Sequence, residues 1–116
     1  MSQRSDLIDP NDLAARTVPS DCASMNEVRD GVDRLDRALI ALVSERVGYM
    51  RAAARIKGSR DTVRDTARVE DVVAKVLKTA QSHNVPSELA EAVWRELIEQ
   101  SIQYEFRVWD ETREKT

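Results

Sequence analysis

Arg46 stands in a row of apolar residues. From Met25 to Ile56 a heptad of inward positions runs Met25, Val28, Val32, Leu35, Leu39, Leu42, Arg46, Tyr49, Ala53 and Ile56. An ionised arginine is almost never fully buried unless paired, and burying it unpaired is strongly unfavourable. No acid of the same segment lies on that seam, so its partner is another helix or an anionic ligand. Stretch 46–68 holds seven basic residues: Arg46, Arg51, Arg55, Lys57, Arg60, Arg64 and Arg68. Only Asp61 and Asp65 oppose them there. Arg51, Arg55 and Arg60 read as solvated. Arg68 shares a helix face with Asp65 and Val72, at i−3 and i+4, beside the apolar stripe. Further on, Trp94, Ile98, Ser101, Glu105 and Val108 share one face. Ser101 and Glu105 interrupt its apolar character one turn apart. A buried glutamate among cations is either a structural ion pair or part of a site.

Cations, a hydroxyl and a carboxyl inside an apolar helical interior suit a small, multiply anionic, partly apolar ligand. They do not suit a nucleophilic mechanism. No Ser, Cys or Lys has a base partner at a nucleophile's spacing. The single histidine, His83, lies in a polar stretch and reads as a solvated turn residue. The single cysteine, Cys22, excludes an internal disulfide and reads as a small apolar residue near a helix start. There is no CxxC or His/Cys cluster, so no metal site is suggested.

The elements that must carry these groups are helical. The 116 residues fit one domain. Only 4% are aromatic, with three Gly and three Pro, a profile with few strand formers. Residues 1–20 are polar, contain Pro10 and Pro19, and read as a flexible arm ahead of a helical domain over 21–116. Ser24 with Glu27 has the S-x-x-E form of a capping box, so a first long helix starts at Ser24. It runs to about Lys57, where Gly58 and Ser59 stop it, a length of about 50 Å. A short polar loop covers 58–64, with Arg60 and Asp61 read as solvated linker rather than a lid. A second helix begins near Asp65 and turns Val69, Val72, Val73, Val76, Leu77 and Ala80 inward. Pro86 and Ser87 open a third, over about 87–111. The first helix outreaches the other two, so part of its seam must face another chain. An intertwined helical homodimer follows as the expectation.

Composition narrows the partners. A net charge of -3 argues against non-specific nucleic-acid binding. The first residues lack the apolar core of a secretory signal, and no stretch approaches 18 apolar residues. A cytoplasmic protein is the default expectation.

Three segments carry a resemblance. EVRDGVDRLDRALIALVSERVGYMRAAARIK (27–57) resembles the first helix of the all-helical (type II) chorismate mutases. VRDTARVEDVV (63–73) resembles the motif that opens their second helix, and LIEQSIQYE (97–105) that of their third. The likeness covers about residues 21–110. DCASMNEVRDGVDRLD (21–36) also resembles the start of the related isochorismate pyruvate lyases. The resemblance implies an intertwined dimer of three-helix chains with two active sites and no cofactor. Arg29 would reach into the partner's site. Arg46 and Arg68 would clamp the two substrate carboxylates, with Ser101 assisting. Lys57 would point at the bridging ether oxygen, and Asp65 would help hold the ring hydroxyl. Glu105 stands where many relatives have glutamine and others glutamate. To donate to the ether oxygen it would have to carry a proton, which implies activity falling as pH rises. Val69 departs from the glutamate of many mutases and matches the valine of lyase relatives.

The implied activity is the rearrangement of chorismate to prephenate, with Lys57, Glu105 and Arg46 as catalytic residues. The alternatives are isochorismate pyruvate lyase on the same scaffold and a non-catalytic helical dimerisation module whose arginines meet partner acids. The mutase reaction is unimolecular and pericyclic. It needs a compact reactive conformer and stabilisation of the charge developing on the ether oxygen.

Overall fold

A computed structural model describes residues 7–114. Among them the fold is all-α: α1 (Pro10–Ala14), α2 (Met25–Ile56), α3 (Thr66–Ser82) and α4 (Ser87–Arg113). Two single turns of 3-10 helix intervene, at Pro19–Asp21 and Arg60–Thr62. α2, α3 and α4 are the three long helices that periodicity predicts. The chain divides into two compact units, and the boundary between Tyr49 and Met50 falls inside α2.

In the first unit the capping box forms as its spacing predicts. The Glu27 amide donates to Ser24 Oγ at 3.2 Å, and Glu27 Oε1 accepts from the Ala23 amide at 2.9 Å. The first bond satisfies an amide that the first turn of a helix leaves open, and the second ties the residue before the cap back to that turn. Bonds from the Ala23 amide, which contributes most, and from Ser24 and Thr17 hold the Glu27 carboxyl below its ordinary range.

The described part of the expected arm carries α1 and a 3-10 turn. The physical reason is local capping plus charge. Asp9 Oδ1 accepts from the Asn11 amide, and Pro10 occupies the first helical position. Asp12 then lies between two guanidiniums, 2.7 Å from Arg34 and 2.9 Å from Arg37. Residues 1–6 of the predicted arm lie outside the described residues.

The seam of α2 is open in the single chain. Met25, Val28, Val32, Leu35, Leu39, Leu42, Tyr49 and Ile56 are all exposed, Leu39 at 53%. Arg46 is half-buried.

The second unit has its core in the α3–α4 hairpin. Val63, Val73, Ile98 and Ile102 are buried, with Val69, Leu77, Trp94, Phe106 and Trp109 packed against them. Asp65 caps α3, its side chain accepting from the Arg68 amide at 3.1 Å. The other end of α3 closes in a left-handed residue, Asn84 (φ 59°). The Val85 amide returns to Ala80 O at 2.9 Å and the Asn84 amide to Gln81 O at 3.3 Å. This paired closure is the Schellman arrangement, and asparagine tolerates the left-handed region it requires. His83 is the exposed C-cap residue, with Nδ1 2.9 Å from Thr79 O.

Candidate active site

Lys57 follows directly on the last turn of α2, and Glu105 lies two turns before the end of α4. Lys57 Nζ is 2.7 Å from Glu105 Oε2 and donates a second bond to Val63 O at 3.3 Å. The two side chains differ in exposure, 30% for Lys57 and 5% for Glu105. An ammonium has three donors. Two are directed at these acceptors, which leaves the third for an incoming oxygen.

Val63 O reaches Lys57 because the 58–64 segment is pinned. Val63 itself is buried at 3%. Arg60 Nε meets Asp110 at 2.8 Å, and its guanidinium lies 4.5 Å from the centre of the Phe106 ring. Arg64 forms a two-pronged bridge to Glu99, at 2.8 and 2.9 Å. This fork, helped by Gln103, draws the Glu99 carboxyl down to about 2. The Arg60 bond likewise lowers Asp110. The sequence predicts a solvated linker here. The segment is instead tethered to α4 at two points, because acids at 99 and 110 face the basic loop from another helix.

The other predicted site residues are distributed as follows. Ser101 is half-buried, and its Oγ donates to Leu97 O at 2.6 Å. Arg68 is largely exposed, 2.7 Å from Asp71 on its own helix. Asp65 is engaged as the cap of α3. Val69 packs against the core. Arg29 and Arg46 lie on α2 in the first unit, Arg29 exposed and Arg46 half-buried. Glu105 has a more specific partner than the pattern gives it, since it accepts from Lys57. Sequence reasoning missed the donors on the backbone of Lys57. Trp109 Nε1 and Arg113 Nη2 both bond its carbonyl, at 3.1 and 2.8 Å. The available signal was the spacing Glu105, Trp109, Arg113, four residues apart on one face.

Among the described residues, no helix is long and apolar enough to cross a membrane. The all-helical architecture agrees with what the family model shows. The chain belongs to the chorismate mutase type II family, whose model matches residues 28–106. Among curated relatives it is similar to the isochorismate pyruvate lyase of Pseudomonas aeruginosa, at 24% identity over 95 residues, 82% of this chain and 94% of that protein. No solved structure gives a significant match.

Proposed function

We propose that this protein is a chorismate mutase, an isomerase that converts chorismate to prephenate in aromatic amino-acid biosynthesis in the cytoplasm. The observation that carries the reading is a lysine ammonium aimed by a buried carboxylate, with one donor left over. In the rearrangement the C–O bond of the ether breaks while a C–C bond forms within the same molecule. Negative charge grows on the ether oxygen, and a preplaced Lys57 donor stabilises it more in the transition state than in the ground state. Arg29, Arg46 and Arg68 grip the two carboxylates with Ser101, as rigid forks that match carboxylate geometry. Asp65 faces the ring hydroxyl. Glu105 acts on the ether oxygen directly when it carries a proton, or through the Lys57 head group that lies 2.7 Å away.

The working unit in this reading is a homodimer. The exposed apolar row on α2 supports it, since a contiguous stripe of that size marks an interaction surface. A second copy covers it, and Arg29 crosses to the partner's site.

A second reading is favoured by the Pseudomonas relative and by Val69: elimination of pyruvate from isochorismate to give salicylate. The test is incubation of the purified protein with each substrate, following prephenate and salicylate. Prephenate from chorismate, lost by about 100–1000-fold in Lys57→Ala, supports the mutase. Salicylate with pyruvate, and no prephenate, supports the lyase. Turnover of neither substrate leaves a dimerisation module.

A further inference from the structure

The hydrogen bonds around Lys57 extend beyond its ammonium to its main chain. α2 ends at Ile56, and the last carbonyls of a helix have no acceptor role within it. Two carbonyls at this end are met from α4. Arg113 donates through Nη1 to Ala54 O at 2.9 Å and through Nη2 to Lys57 O at 2.8 Å. Trp109 donates its indole Nε1 to the same Lys57 oxygen at 3.1 Å. The Arg113 guanidinium also lies 4.3 Å from the centre of the Trp109 ring, so the two donors brace each other. A cation here is favoured by the negative end of the helix dipole.

Lys57 is therefore fixed at both ends. Its amide donates to Ala53 O at 2.9 Å, its carbonyl takes two donors, and its Nζ meets Glu105 and Val63 O. Glu105, Trp109 and Arg113 lie four residues apart and share one face of α4. One helix face thus supplies the carboxylate for the ammonium and the donors for the backbone. A slip of α4 along the end of α2 would break both sets together.

We infer that Arg113 and Trp109 are positioning residues for the Lys57 ammonium. They hold the end of α2 in the register that places Nζ against Glu105, and through it they set the reach of the third donor. The inference rests on the reading of Lys57 as the group that meets the reacting oxygen. A displacement of about 1 Å at such a group lowers turnover by up to about 100-fold.

The experiment uses the full chain at a temperature well below unfolding. Arg113→Ala lowers kcat by about 10–100-fold and leaves KM within about threefold, because the carboxylate-binding arginines are untouched. In a Lys57→Ala background the same substitution changes kcat by less than about twofold, since residues acting through one another are not additive. An undiminished loss in that background, or unchanged kcat beside a lowered melting temperature, overturns the inference. Trp109→Phe keeps the ring beneath Arg113 and removes one donor, so a smaller kcat loss than Arg113→Ala is expected; an equal or larger one overturns it. A substrate-free arm reads the 15N signal of the Lys57 ammonium, assigned by its loss in Lys57→Ala. That signal is sharpened by the ordered pair and broadens in Arg113→Ala; an unchanged signal overturns the inference. If the wild type turns over neither chorismate nor isochorismate, the mutase reading fails, and the ammonium signal alone decides this one.

Discussion

The unequal burial of Lys57 and Glu105 predicts an unequal response to losing either one. Lys57→Met leaves a carboxylate whose side chain is 5% exposed without its cation. Breaking a buried pair from one side typically costs about 3–5 kcal/mol, because a charge is left uncompensated. Lys57 is 30% exposed, so water partly enters the gap it vacates, which places the loss near the lower end, about 3 kcal/mol. Glu105→Gln retains an oxygen acceptor, and the lysine head keeps Val63 O and solvent. That variant loses only the charge assistance of one hydrogen bond, about 1 kcal/mol. At roughly 4 °C per kcal/mol for a chain of this size, the melting temperatures fall by about 12 °C and about 4 °C. Scanning calorimetry at neutral pH and one protein concentration measures both without substrate. Lys57→Met together with Glu105→Leu regains most of the loss, since no charge is then buried alone. Equal losses in the two single variants, or a larger one in Glu105→Gln, refute the reasoning.

Removal of the α3 cap in Asp65→Ala lowers unfolding free energy by about 1 kcal/mol in a urea titration. The Glu99 carboxyl is depressed from 4.5 to about 2, so what it contributes to stability is complete above pH 4.5 and is lost as pH falls toward 2. An acid titration followed by circular dichroism shows this loss, and Glu99→Gln removes that part of the pH dependence. Leu39→Asp places a charge in the exposed row of α2, and the proposed homodimer predicts that the wild type sediments as two copies and this variant as one.

The long helices were legible because each carries its own punctuation. Ser24 with Glu27, Asp65, and Pro86 with Ser87 mark starts through local capping chemistry, which the sequence states within four residues. The pairing of Lys57 with Glu105 was half legible. Helical spacing places Glu105 on an apolar face, but which cation meets it depends on a contact 48 residues away. The tethers of the 58–64 segment were hidden for the same reason, since Arg60 and Arg64 find acids 50 and 35 residues on. Arg68 shows the limit of face arguments. Spacing places it beside the apolar stripe, yet its long stem carries the guanidinium to Asp71 on its own helix. The helix at Pro10–Ala14 is not legible locally because its anchor, Asp12, bonds arginines 22 and 25 residues later.

The chain separations around Lys57 also govern how the molecule comes into being during synthesis. The lysine leaves the ribosome well before Arg113, which follows it by 56 residues. At about 5–20 residues per second, that interval is roughly 3–11 s. Until Glu105 follows, 48 residues behind the lysine, the newborn end of α2 has neither its counter-ion nor the donors for its carbonyls, and only water and passing chaperones can attend it. Maturation of this corner therefore waits for α4, and conditions that stall translation within that helix would release polypeptides with a loose lysine.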